Sequence, residues 1–98
     1  MASGAVTLLV REDGAGGARA ILLRAPGATR VELSADFTGW QPAEARHVGG
    51  ELWELRVRVA PGLHRLVVRL DGGRWTVPAG LPPAPDDFGG EVGVLVVH

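Results

Sequence analysis

The sequence predicts an all-β sandwich of about seven antiparallel strands, and three observations lead there. Aliphatic residues arrive in short bursts, with no window that spaces them at three and four as a helix requires. Glycines and prolines, fifteen and seven of them, fall between the bursts and act as punctuation. Within the bursts apolar and charged residues alternate, which is the signature of a strand with one buried face.

The strands are expected at 6–11, 19–24, 29–34, 51–59, 63–70, 74–77 and 92–97. The first, 6–11, is too apolar to be an idle tail, and with the Gly-rich break 14–17 it makes residues 1–17 an extra strand and turn ahead of a module over 18–98. It is expected to add an edge strand or to pair with another chain, and the Asp13-Gly14 turn favours the first. After 19–24, Ala25-Pro26-Gly27 breaks the chain, and in the third strand Val31 and Leu33 alternate with Arg30 and Glu32. Alternation is clearest in 51–59, where Trp53, Leu55, Val57 and Val59 point inward and Glu54, Arg56 and Arg58 point to water. Ala60-Pro61-Gly62 suits a tight turn to 63–70, where Leu66, Val68 and Leu70 alternate with Arg65 and Arg69. Asp71-Gly72-Gly73 suits a hairpin to 74–77, so consecutive strands are expected to pair antiparallel. Pro78 to Asp87 holds four prolines, cannot donate regular ladder bonds, and reads as a stiff surface loop returning the chain to 92–97.

A chain of 98 residues holds one core, and with 46% hydrophobic and 21% charged residues it is composed to fold. A net charge of -1 argues against nucleic acid and anionic membrane as partners. There is no cysteine, so no disulfide and no thiolate; the three histidines, His47, His64 and His98, are too scattered for a metal site, and no cofactor is expected. No apolar run is long enough for a membrane span or signal peptide, so the expectation is a soluble, cytoplasmic protein.

Catalytic patterns are missing: there is no Gly-x-Ser-x-Gly elbow and no phosphate loop, and Asp86-Asp87 beside a proline reads as a turn rather than an acid-base pair. No catalytic residue is therefore assigned. The informative residues are three tryptophans with no tyrosine. Trp53 lies on an inward phase and reads as the core aromatic. Trp40 follows a turn and Trp75 follows a Gly-Gly turn, and at such element ends a ring is open to a partner. A sugar ring stacks its C–H face on an indole while its hydroxyls bond nearby polar groups, combining apolar burial with direction.

The run Val31-Glu32-Leu33-Ser34-Ala35-Asp36-Phe37-Thr38-Gly39-Trp40 is followed by Leu52-Trp53 and by Pro61-Gly62-Leu63-His64-Arg65. Asp71-Gly72 with Trp75, then Asp86-Asp87-Phe88-Gly89-Gly90 before a closing strand, complete a set that resembles carbohydrate-binding module family 48 over residues 19–98. That family includes the glycogen-binding domain of the AMP-activated protein kinase beta subunit and the early-set domains of branching and debranching enzymes. The resemblance implies an immunoglobulin-like early-set sandwich and a noncatalytic module that binds α-glucan, glycogen-like or starch-like. It carries the stacking role to Trp40 and Trp75 and the role of the family's loop leucine to Phe88. The family's lysine falls at Val67, its asparagine at Val92 and the neighbouring serine at Gly93, so three polar positions are lost. Arg65, Arg69, Arg74 and Asp87 are the candidates for replacing those contacts. The same losses frame the alternative, an early-set domain that no longer binds sugar and serves as an interaction or regulatory module through its N-terminal strand.

Overall fold

The computed structural model describes residues 6–12 and 18–98. Among them nine strands run in chain order: β1 (Thr7–Glu12), β2 (Ala18–Arg24), β3 (Val31–Ala35), β4 (Ala43–Glu44), β5 (Arg46–Gly49), β6 (Leu52–Arg58), β7 (Gly62–Leu70), β8 (Pro83–Pro85) and β9 (Glu91–Val97). A single 3₁₀ turn, Asp36–Thr38, follows β3. The strands form two antiparallel sheets, ordered β1-β2-β6-β5 and β4-β3-β7-β9-β8, in a sandwich-like arrangement compatible with an immunoglobulin-like fold.

The core is built from the inward phases of both sheets. Ile21 and Leu23 on β2 join Val31 and Leu33 on β3 and Leu66 and Val68 on β7, all with no exposed surface. Trp53 is 7% exposed and belongs to this cluster, as its place in the alternation requires. It pairs in register with Leu23 on one side and His47 on the other, and the His47 ring tilts against it at 4.9 Å. The N-terminal strand lies antiparallel to β2 from Thr7 opposite Arg24 to Glu12 opposite Arg19. Its Leu8 and Val10 pack on the core while Leu9 faces out, 63% exposed. The Asp13-Gly14 turn and the break at 14–17 lie outside the described residues.

Several sequence expectations give way here. Ala60-Pro61-Gly62 does not close a hairpin, because β6 and β7 belong to different sheets. Ala25-Pro26-Gly27 joins β2 to β3, again in different sheets, so both Ala-Pro-Gly triplets are corners between the layers. Proline sets one bend and the glycine takes a positive φ, 76° at Gly27 and 130° at Gly62, without Cβ strain. The expected strand 74–77 shrinks to one bridge, in which Thr76 and Val68 exchange backbone bonds of 2.7 and 2.9 Å. The proline-rich loop does contain a strand, β8, which lies on the edge of the second sheet against β9. Proline accepts but cannot donate, and an edge position asks no more of it: Val94 N–H donates to the Pro82 carbonyl at 2.9 Å. Two short strands, β4 and β5, were invisible to pattern because β5 is exposed along its whole length and β4 buries little.

The outward faces are less wet than alternation implies. Glu32 and Glu54, both expected in water, are 5% and 9% exposed because arginines fold over them. Arg69 grips Glu32 with two bonds of 2.8 and 3.3 Å, and Arg46, Arg56 and Arg11 reach Glu54 at 3.1, 3.3 and 3.7 Å.

Candidate functional site

A groove of about 600 Å³ opens on the outer face of the second sheet. Its floor is Ser34 of β3, Val67 opposite it on β7, and Val92 at the start of β9. Trp40 and Pro42 bound one side, Trp75 and the Asp86–Gly90 loop another, and Arg65 and Glu91 add charge. Three aromatic rings from separate loops thus line one concavity.

Each ring is presented by its own device. After the 3₁₀ turn, Gly39 and Trp40 both take left-handed φ, 64° and 60°, and Trp40 N–H donates to the Ala35 carbonyl at 2.8 Å. The Thr38 hydroxyl accepts from Ala35 N–H at 3.0 Å, and one carboxylate oxygen of Asp36 accepts from Arg65 N–H at 3.1 Å. These bonds tie the turn to the sheet and leave the indole 46% exposed.

Trp75 depends on Asp71. That carboxylate accepts from Thr29 N–H, Thr29 Oγ1 and Arg30 N–H at 2.8, 2.7 and 2.8 Å, pinning the turn after β7 to the start of β3. The Thr29 hydroxyl and amide, opposed by burial and helped by Arg30 N–H, hold Asp71 below its ordinary carboxylate value. Asp71 itself sits at φ 54°, a conformation aspartate tolerates better than most residues. The half-buried Trp75 ring then lies under the Arg69 guanidinium, 4.5 Å from the ring centroid. Arg69 is fixed in turn by Glu32, whose pKa is lowered by that hydrogen bond, opposed by burial and reinforced by the charges of Arg30 and Arg69. One face of the indole is backed by a clamped cation.

Phe88 crowns the third loop, 95% exposed. One oxygen of Asp86 accepts from Phe88 N–H at 2.8 Å and Gly90 N–H at 2.7 Å, and Asp86 N–H donates to the Gly90 carbonyl at 3.0 Å. A Cβ on Gly90 would lie 2.8 Å from the other Asp86 oxygen, so a larger residue there would make that carboxylate shift.

Of the residues singled out from sequence, Trp40, Trp75, Phe88, Arg65 and Asp87 line the groove. Arg69 does not; its guanidinium is committed to Glu32 and Trp75, so it supports the platform instead of offering a free polar contact. Arg74 is exposed and outside the lining, since the expected strand 74–77 does not form to aim it inward. Ser34, Asp86 and Glu91 were missed, because a serine within a strand, an acid in a loop and an acid at a strand start carry no spacing signal of their own. Val67 and Val92 are indeed in the floor, where they make it apolar.

A second hollow is walled by Glu44 of β4 and by Arg46, Glu54, Leu55 and Arg56 of the first sheet. Arg46 and Arg56 pair with Glu54, Glu44 reaches Arg30, and no aromatic ring lines it. Among the described residues no three metal-ligating side chains gather, and no helix is long and apolar enough to cross a membrane. No family model matches the chain, and comparison with curated proteins finds no match.

Proposed function

We propose that this chain is a noncatalytic α-glucan-binding module resembling carbohydrate-binding module family 48, with Trp40 and Trp75 as stacking platforms and Phe88 as a loop contact. The observation that carries the reading is the convergence of these three rings on one apolar-floored groove. The groove is open to solvent, and its rim mixes Arg65 with Asp86, Asp87 and Glu91 for hydroxyl groups. Hydroxyls both donate and accept, so a rim of both signs suits a neutral polyol better than an anion. With two stacking rings at ~1 to 2 kcal/mol each and a few hydrogen bonds, binding of one oligosaccharide belongs between roughly micromolar and millimolar.

The test is titration with β-cyclodextrin and maltoheptaose, followed by tryptophan fluorescence, with cellohexaose as linkage control. A saturable change with the α-glucans alone, abolished in Trp75→Ala, supports the reading. Silence up to millimolar sugar favours the second reading, an interaction module. That reading rests on β1, an outer strand of its sheet whose Leu9 is 63% exposed.

A further inference from the structure

His64 stands on β7 beside the turn that presents Trp40, and both of its ring nitrogens face acceptors. Nδ1 is 2.9 Å from an Asp36 carboxylate oxygen and Nε2 is 2.7 Å from the Ala60 carbonyl. A carboxylate and a carbonyl only accept, and a neutral imidazole has one N–H to give. Only the imidazolium satisfies both; a neutral ring must aim a lone pair at one of the two oxygens.

The ring stands in a largely enclosed setting. The side chain is 15% exposed, and the Phe37 ring stands edge-on to it at 5.5 Å. The charged group that faces it is Asp36 from the 3₁₀ turn, while Arg65, next on β7, lines the groove on the other face of the strand. The β6–β7 corner contributes the Ala60 carbonyl, and β9 places apolar Leu95 opposite. Burial works against the charged ring, yet the Ala60 and Asp36 bonds outweigh it and raise the pKa above the ordinary 6.5.

Asp36 is where this charge meets the groove. It opens the turn whose next residues are driven into two successive left-handed conformations, ending on Trp40 at φ 60°. A bulky residue keeps such a conformation only while its surroundings hold it there. Asp36 supplies that hold three ways: through His64, through Arg65 N–H, and through its own carbonyl, which accepts from Gly39 N–H at 3.1 Å.

We propose that His64 is a positioning residue for the groove: its imidazolium clamps Asp36 and thereby the turn carrying Trp40, so that sugar binding is stronger in neutral to mildly acid solution than in alkali. The sugar half of this statement rests on the glucan-binding reading; the clamp itself belongs to the free protein.

Two measurements separate them. In the free protein, NMR follows the His64 ring and the Trp40 indole N–H through one pH titration. The expected result is a His64 midpoint above 6.5, with the Trp40 signal moving at the same midpoint and the His64 midpoint falling in Asp36→Asn. Maltoheptaose is then titrated at about pH 6 and about pH 9, with a weakening of roughly threefold or more expected at the higher pH. His64→Gln, which keeps a donor but cannot titrate, should bind equally at both. A His64 midpoint at or below 6.5, a Trp40 signal that ignores it, or a pH slope that survives in His64→Gln overturns the proposal. If maltoheptaose gives no saturable signal at either pH the glucan reading fails, and the Trp40 midpoint decides the clamp alone.

Discussion

Trp40 holds a left-handed backbone that costs an L-residue about 1 to 2 kcal/mol and that glycine adopts freely. With its ring 46% exposed, the folding energy that offsets that cost is smaller than at a buried tryptophan. Trp40→Ala, which keeps the strain and loses a ring only partly covered, should therefore cost clearly less than Trp53→Ala, while Trp40→Gly should be the more stable of the two. Urea denaturation of both variants checks this, and a Trp40→Ala loss comparable to that of Trp53→Ala would make the ring structural. Trp53 is the opposite case. Buried against Leu23 and His47, it should cost on the order of 3 to 5 kcal/mol on truncation to alanine. Arg69 lies between these extremes. Arg69→Met keeps the aliphatic stem but removes both the cation over Trp75 and the main partner of the shielded Glu32, so it should weaken α-glucan binding and also lower the melting temperature. Full sugar affinity in Arg69→Met would show that Trp75 needs no backing.

At the scale of elements, what the sequence conveyed depended on how much apolar surface each segment buries. Strands with a sharp in-out rhythm, such as β6 and β7, were legible because the core reads one phase of them and ignores the other. β4 and β5 bury almost nothing and are held by backbone bonds to β3 and β6, which leave no trace in side-chain type. Turn residues were legible as bends but not as destinations: Ala60-Pro61-Gly62 announces a change of direction, and whether the chain returns to the same sheet or crosses depends on the opposite layer. The same holds for the site. The rings were visible as residues, and the family resemblance joined them, but the supports beneath them are pairings of distant residues, Glu32 with Arg69 and Asp71 with Thr29. The Phe88 loop is the element most exposed to a single change. Gly90→Ala pushes a methyl into the Asp86 carboxylate that organises the loop, while β9 beyond it keeps its pairing with β7. The expected outcome is a near-unchanged melting temperature, weaker α-glucan binding, and faster amide exchange at Phe88 and Gly90. Exchange rates equal to wild type would mean the loop absorbs the methyl.

At the scale of the whole molecule, the charged groups set a pH window for folding. All ten lysine-or-arginine positions are arginines, and the two shielded carboxylates, Glu32 and Glu54, each depend on them. The Arg46 bond lowers the Glu54 pKa, burial opposes it and Arg56 adds to it, as Arg69 and Arg30 do at Glu32; Asp71 is lowered by Thr29 and Arg30. A carboxylate whose folded pKa is depressed binds fewer protons folded than unfolded, so its contribution is present above the unfolded value and is lost as pH falls through the folded one. With ordinary values of 4.5 for glutamate and 3.8 for aspartate, that loss lies on the acid side of 4.5. His64 has the opposite sign. Its folded pKa is raised, so its contribution is complete below the ordinary 6.5 and is lost as pH climbs through the higher folded value. The two slopes leave a plateau from 4.5 to 6.5, where the arginine-held carboxylates are ionised and the imidazolium still bridges Asp36 and Ala60. Urea midpoints across pH should trace that shape. Glu32→Gln should flatten the acid limb in part, and His64→Gln should remove the decline above neutrality while leaving the acid limb intact. A wild-type midpoint that keeps rising beyond pH 6.5 would mean His64 is neutral in the folded state and the clamp on the Trp40 turn does not operate.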